Sequence, residues 1–316
     1  MRLNQFGKIK RFGVLGTGMM VGHALDYYTR KYLLRRDSLV RRIHNYQLRI
    51  DLHDPGLSRD VAVRGTREDQ LKYLIDRVVG PGDVILDVGA NIGYYTIMLS
   101  KLVGETGMVY AIEPEPRNFE RLKKNVQLNG IESIVETHQI GAADAVGTGT
   151  LHVSRRSNLH SFLGPTGADD TKGDQSIELP LTDVSSFIQD KRRVDLLRMD
   201  IEGYEVEVIN GLKAAVVDGS WTGKILFECH FPRYNDENHS MRKPLRMLFE
   251  NGYRARYLTS NDENKPRIRS KGYEPTALVQ TSDTRYRGIY ENVSNEDAEA
   301  LVCEIGGVRD ILLEKA

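Results

Sequence analysis

The sequence predicts an α/β fold: a mostly parallel sheet with helices on both faces. Three observations carry that reading. From residue 84 onward, short β-branched runs alternate with segments of helical spacing, the βαβα rhythm of a parallel sheet. The first run, Val84 to Val88, turns through Gly89 and Gly93 directly into such a segment. There backbone can approach a ligand and helix N–H groups are left unpaired. Finally, 316 residues suffice for one large α/β domain of roughly 200–250 residues and an appendage.

The totals exclude several classes. Hydrophobic residues are 40% and charged residues 28%, as in soluble globular proteins. No apolar run approaches the roughly 18 residues of a membrane span. Met1 to Arg11 is basic, but Gly16, Gly18, Gly22 and His23 interrupt the apolar stretch after it, a poor signal-peptide core. Cys229 and Cys303 are far apart, so a reduced, cytoplasmic setting is expected. Net charge is zero but uneven: residues 1–50 hold eleven Lys/Arg against Asp26 and Asp37. Such a basic head can dock on the acidic remainder or attract an anionic substrate or lipid.

In chain order, Phe12 to Gly22 imitates a dinucleotide fingerprint but lacks a βαβ unit, since Lys31 to Arg36 occupy the place where a strand is needed. Leu25, Tyr28, Tyr32, Leu39 and Ile43 recur at helical spacing, so 23–44 is expected as one or two basic amphipathic helices. Leu48, Ile50 and Leu52 alternate as a strand. Asp54-Pro55-Gly56 stops it, and Val61 and Val63 are expected as its short partner. Thr66 to Val79 reads as a helix. Next come the strand Val84–Val88, a helix over 92–103, the strand Met108–Glu113 and a helix from Pro116 to Gly130, Pro being accepted in a first turn. Ser133 to Ile140 is a third strand. Residues 141–180 break the rhythm, apart from a strand at 150–153, and suggest a substrate loop or lid. Strands over 194–200, 224–230 and 253–258, helices over 206–216 and 245–251, and strands over 276–280 and 286–290 complete the sheet. Ser294 to Ala316 reads as a surface helix broken at Gly306-Gly307. The expected organisation is a basic extension of helices and a hairpin over 1–65, the sheet domain over 66–292, and the C-terminal helix over 293–316.

The glycine turn reads Asp87-x-Gly89-x-Asn91-x-Gly93. An acid stands where a phosphate cradle would have glycine, and no Gly-Lys-Ser/Thr comes after it. That suits a cationic, amino-acid-like group and points to S-adenosylmethionine. Glu113 ends the second strand 20 residues after Gly93, placed to accept both ribose hydroxyls of a nucleoside across the first strand's end. Asp87 either faces the ligand or braces the turn.

These residues resemble the FkbM-family class I methyltransferases, which depend on S-adenosylmethionine. The likeness covers about 50–235: Asp51-Leu52-x-Asp54-Pro55-Gly56, Asp87 to Thr96, Glu113-Pro114-Glu115-Pro116-x-Asn118-Phe119, Asn125-Val126-x-Leu128-Asn129-Gly130, Asp200-Ile201-Glu202-Gly203-Tyr204-Glu205 and Glu228-Cys229-His230. It implies a seven-stranded Rossmann-like sheet and methyl transfer, usually to a hydroxyl of a natural product, glycolipid or saccharide. By position it puts Gly89, Ala90, Asn91 and Gly93 along the methionine and ribose, Glu113 on the ribose hydroxyls, and Pro114 and Asn118 beside the nucleoside. Ala142 and Ala143 would pack on adenine. Tyr95 and Thr96, opening the helix after the glycine turn, count with the donor side; either Tyr94 or Tyr95 roofs the ligand.

Asp200-x-Glu202-Gly203 and Glu228-x-His230 end the next two strands, bordering the same crevice. A hydroxyl must lose its proton during methyl transfer, and a positioned base is worth roughly 10²–10⁴-fold. Asp200 is the first choice, for the base or for anchoring acceptor and donor. His230 is second, its ordinary pKa lying near neutrality, and Glu202 either joins them or braces the Gly203 turn. The same acids could hold a divalent cation, but without a compact ligand signature this is not favoured. Asn158, His160 and Ser161 are candidate acceptor contacts. The expected partner is a hydroxylated small molecule, a saccharide or a lipid-linked one, rather than nucleic acid. N-methylation of an amine or RNA is disfavoured because no Asn/Asp-Pro-Pro-Tyr/Phe motif is present. A non-catalytic module contacting acidic lipid through basic residues 23–44, at the membrane periphery, is the non-enzyme alternative.

Overall fold

The computed structural model describes residues 18–164, 175–234 and 239–316. The first 17 residues of the basic head, the start of the dinucleotide-like Phe12–Gly22 stretch among them, and the middle of the 141–180 insertion lie outside the described residues.

Residues 18–28 are helical (α1) and run into a π-helical turn, Thr29–Leu33. Strands β1 (Ser38–Ile43) and β2 (Tyr46–Asp51) then form a hairpin in register from Ser38↔Asp51 to Ile43↔Tyr46, turning at His44 with φ 49. The expected one or two helices over 23–44 are thus helical only as far as Leu33, and the part from Ser38 is corrected to a hairpin. Leu39 and Ile43 are four apart, a spacing that shares one face in a strand as well as in a helix, and both are buried. The partner expected at Val61 and Val63 is instead part of helix α2 (Leu57–Arg64). Helix α3 (Asp69–Val78) leads into the main sheet.

That sheet begins with β3 (Val84–Val88), α4 (Tyr94–Val103), β4 (Met108–Ile112), α5 (Pro116–Leu128) and β5 (Val135–His138). The insertion is no bare loop. Among its described residues β6 (Gly141–Ala143), β7 (Gly147–Val153) and β8 (Gln175–Asp183) make a separate sheet in the order β6-β8-β7. The main sheet resumes through α6 (Val184–Ile188), β9 (Leu196–Met199), α7 (Glu205–Val217), β10 (Lys224–Glu228), α8 (Arg242–Glu250), β11 (Tyr253–Ser260), β12 (Ala277–Gln280), β13 (Tyr286–Glu291), α9 (Asn295–Ala300) and β14 (Val308–Lys315). Its order is β12-β13-β11-β14-β10-β9-β3-β4-β5. The last five strands in that order run parallel, and β14 is antiparallel to both neighbours. The sheet has nine strands rather than seven, because β13 and β12 extend its edge beyond β11.

The C-terminal segment is the other correction. Only 295–305 is helical; Gly306 and Gly307, with φ 73 and 100, turn the chain back into the sheet as β14. Ile311, Leu312 and Leu313 are fully buried there. A three-residue apolar run between charges is too short for its periodicity to separate strand from helix.

Helices cover both faces over two cores. One core gathers α7, α8 and α9; the other gathers α3, α4, α5 and the hairpin. Two asparagines of α5 fasten the hairpin. Asn125 exchanges hydrogen bonds with the Arg49 backbone and donates to the Ile92 carbonyl, and Asn129 exchanges a like pair with Gln47. The side-chain amides stand in for a third strand, and through Ile92 they steady the glycine turn.

Leu312→Ala should lower unfolding free energy by about 2–5 kcal/mol, the cost of truncating a buried leucine, measured by denaturant unfolding. A change below about 0.5 kcal/mol, as on a solvated helix, would contradict the buried strand.

Candidate functional site

The carboxyl ends of β3, β4 and β9 open on one cleft. After β3 the chain makes three left-handed steps: Gly89 (φ 79), Asn91 (φ 52) and Gly93 (φ 93). A Cβ at Gly89 would collide with the Asp200 carbonyl and Ile201, so glycine is required where the β3 and β9 turns touch. The Gly89 and Ala90 N–H groups donate to the Ile112 carbonyl, both at 3.0 Å. This brings Asn91 N–H onto the Glu113 carboxylate (2.8 Å), whose other oxygen accepts from Glu115 N–H (3.0 Å). Burial raises the Glu113 pKa to about 8, against those two hydrogen bonds.

The cleft wall includes Gly89, Ala90, Asn91, Tyr95, Glu113 and Pro114 on the donor side, and Asp200 and Glu202 opposite. The sequence points to all of them. Tyr94 and Tyr95 both reach the wall, and each is tied down: Tyr94 Oη donates to the Arg67 carbonyl, and Tyr95 Oη to Glu68 (2.7 Å).

Six expected donor-side residues do not line the cleft. Asp87 is fully buried; it accepts from Thr96 Oγ1 (2.7 Å) and pairs with Arg198 (3.1 Å), so it and Thr96 brace the turn beneath the site. Gly93 caps α4, where a Cβ would press on Leu122. Asn118 donates its amide to the Ser157 carbonyl (3.0 Å). Ala142 and Ala143 are buried in β6, the Ala143 carbonyl lying so close to Gly211 of α7 that no Cβ fits there.

Ser157 belongs to the loop that roofs the cleft with Asn158, His160 and Phe162. Asn91 Nδ2 joins Asn118 on the Ser157 carbonyl (2.6 Å), while the Ser157 N–H and hydroxyl both donate to Asp54. The hydroxyl and three backbone N–H groups hold the Asp54 pKa down despite burial. The Asp54-Pro55-Gly56 turn therefore anchors the roof. Ser161 is buried, and its backbone pairs with His152 rather than facing the cleft.

On the far side Glu202 (φ 56) and Gly203 (φ 103) make a left-handed corner between β9 and α7, a strained placement for a glutamate. Burial raises Glu202 to about 7, with His230 pulling the other way. His230 Nε2 lies 3.6 Å from Glu202, 3.9 Å from Asp200 and 3.5 Å from Glu228. Its Nδ1 meets fully buried Glu205 at 3.0 Å. Burial alone would lower the His230 pKa, but these carboxylates, Glu205 foremost, raise it well above the ordinary value. His230 thus sits behind the wall among four carboxyl groups.

Sequence reasoning missed the cations. Arg198 reaches both Asp87 and Asp200 (3.2 Å) and sits 4.3 Å over the Tyr95 ring. Arg309 bridges Glu228 and Glu68, and Arg67 adds to Glu68. A lone arginine in the run Leu196-Leu197-Arg198-Met199 is the available signal, since buried charge demands a partner. Two sets of ligand atoms, Asp200-Glu202-His230 and Glu68-Asp200-Glu228, each lie within 4.8 Å. Three guanidiniums pair with Glu68, Asp200 and Glu228 among these acids, which offsets part of the charge that would attract a metal ion.

The family model described as "Methyltransferase FkbM domain" matches residues 87–255. Similar curated proteins include Methyltransferase 1 of Beauveria bassiana, 26% identical over 145 residues (40% of this chain, 57% of that protein). Methyltransferase sdnD of Sordaria araneosa is 27% identical over 155 residues (40% and 60%). The chain thus spans less than two thirds of the length of either relative. A solved FkbM methyltransferase from Methylobacillus flagellatus aligns at 16% identity and a TM-score of 0.36, over 68% of this chain and 48% of that one.

Arg198→Met strands Asp87 as a buried, unpaired carboxylate. It should cost about 3–5 kcal/mol by denaturant unfolding, and Asp87→Asn in the same chain should recover part of that. A single-variant loss below about 1 kcal/mol would show that the pair carries no structural weight.

Proposed function

The chain belongs to the FkbM methyltransferase family, and from that premise we propose that the cleft binds S-adenosylmethionine and methylates a hydroxyl of a sugar, glycolipid or natural-product acceptor. The observation that carries this reading is the pair of carboxylates that line one cleft, buried Glu113 and half-buried Glu202. The residues present fit the cofactor. Each Glu113 oxygen accepts one backbone N–H, leaving lone pairs for two ribose hydroxyls. Gly89 and Ala90 bring bare backbone beside them.

When bound, S-adenosylmethionine supplies a methyl group already activated on a sulfonium, so positioning contributes much of the rate. The cleft residues divide the remaining work. Glu202, titrating near neutrality, is suited to take the hydroxyl proton as oxygen attacks, a better match than His230, whose pKa its carboxylates raise. Asp200, fixed by Arg198, orients the acceptor and faces the cationic donor. The His160–Phe162 segment excludes water from above. A divalent cation at Asp200, Glu202 and His230 is the lesser alternative, given the charge already offset there.

Peripheral membrane contact belongs to the same proposal. Among the described residues, eight of the twelve exposed large hydrophobics fall between 19 and 40, including Leu25, Tyr32, Leu33 and Leu34, beside Arg30, Lys31, Arg35 and Arg36. No described helix is long and apolar enough to cross a membrane. Apolar side chains amid cations suit an acidic lipid surface, and would bring a lipid-linked acceptor to the cleft.

Calorimetry should register S-adenosylmethionine binding that Glu113→Ala abolishes. Hydroxyl donors favour the carboxylate form, so affinity should rise with pH up to about 8 and level off above it, the slope vanishing in Glu113→Gln. Absence of binding by the folded chain would refute the proposal. With an acceptor in hand, kcat should climb through about pH 7 as Glu202 deprotonates, and Glu202→Gln should lower it by roughly 10²–10⁴-fold; an unchanged kcat would remove Glu202 as base. Vesicles containing acidic lipid should co-sediment the intact chain, and Leu33→Glu/Leu34→Glu should release it. Equal sedimentation of both would exclude this surface.

A further inference from the structure

We propose that a second groove, opening beside the methyl-transfer cleft, binds a phosphate group carried by the acceptor. The proposal rests on the reading of the cleft as an acceptor site and adds the chemical class of what enters it. The groove lies between the α2–α3 connection, the β12–β13 turn and β14, and is lined by Arg64, Arg67, Arg285, Arg287 and Arg309 against Asp60, Glu68 and Asp283. Its walls therefore carry more positive than negative charge, in a chain whose net charge is zero.

The donors left over are more telling than the charge. The Arg287 side chain is only 7% exposed and meets Asp283 through Nη2 at 3.3 Å. Its Nε and Nη1 are buried with no hydrogen-bond partner. Arg309 commits Nη1 to Glu228 and Nη2 to Glu68, and its Nε is likewise buried and unpaired. A buried donor without an acceptor costs about 1–3 kcal/mol, so three on two arginines that line the groove favour a ligand rich in acceptor oxygens. A phosphate presents such oxygens in the geometry that guanidinium groups bind best. Arg64, paired with Asp60 at 2.8 Å, and Arg285, 3.7 Å from Asp283, stand nearer solvent, with side chains 30% and 55% exposed, where their remaining N–H groups can close on the outer oxygens.

The groove and the cleft share a wall residue. Arg67 lines both, and Arg309 holds Glu228 at the end of β10, 3.5 Å from His230. An acceptor anchored here by its phosphate reaches over Arg67 to put a hydroxyl against Glu202.

Titration of the full chain with inorganic phosphate at low ionic strength, against a chloride control, tests the site without donor or acceptor. The intact chain should bind phosphate. Arg287→Gln should weaken binding at least about tenfold, one charge-assisted hydrogen bond's worth, and the exposed double variant Arg64→Gln/Arg285→Gln should weaken it severalfold. The double variant decides the matter should the buried one fail to fold, as judged by circular dichroism. Both variants should bind S-adenosylmethionine like the intact chain, so donor binding and phosphate binding stand or fall separately. Phosphate heats no different from chloride, or equal phosphate affinity in the intact chain and the double variant, would overturn the proposal.

Discussion

The guanidinium of Arg198 holds the two halves of the site together. Asp87 of β3 and Arg198 of β9 are register partners in the parallel ladder, and their side chains pair where neither is exposed. Two residues on, Asp200 comes off the same strand onto the second Nη of Arg198. The donor turn after β3 and the acid corner after β9 are thus set against each other by one cation, and Gly89 is needed because the two turns touch. Buried charge is costly unless every partner is present, so small departures from this geometry are penalised.

The same burial tunes the chemistry. Glu113 and Glu202 stand at the mouth of a dry, charge-balanced interior that raises their basicity, one moved to about 8 and the other to about 7. The two differ in company. Glu113 is met by backbone N–H groups, a setting for hydroxyl donors, whereas Glu202 faces the His230 imidazole at 3.6 Å, a setting for gaining and losing a proton. Glu205 foremost, with Glu228 and Glu202, raises the His230 pKa against its burial. The roof loop is fastened from below by Asn91 and Asn118 and from the side by Asp54, which gives three polar residues of the family pattern a role in architecture.

Much of the site is legible in the sequence. The strand–glycine–helix turn, Glu113 twenty residues beyond it, and the Asp200-x-Glu202 and Glu228-x-His230 strand ends all meet where a parallel sheet must bring them. Asp87 is ambiguous in sequence because an acid that braces a turn and one that faces a ligand occupy the same position. Arg67, Arg198 and Arg309 are not legible as a group, because the pairs that join them to the site, Arg198 with Asp87 and Arg309 with Glu68 and Glu228, link distant segments and no local pattern records them. The β1 and β14 strands read as helix for a periodicity reason: a spacing of four suits either element, and three apolar residues set no period. The resemblance sets Ala142 and Ala143 against adenine; the structure buries both in β6, with the Ala143 carbonyl against Gly211 of α7.

The central claim is that donor and acceptor chemistry face each other across Arg198. The most direct test is a crystal structure of the chain with S-adenosylhomocysteine bound. The account predicts ribose hydroxyls on Glu113 and the sulfur directed toward Asp200 and Glu202, with Arg198 still bridging Asp87 and Asp200. A ribose bound away from Glu113, or a sulfur turned away from the β9 corner, would contradict it.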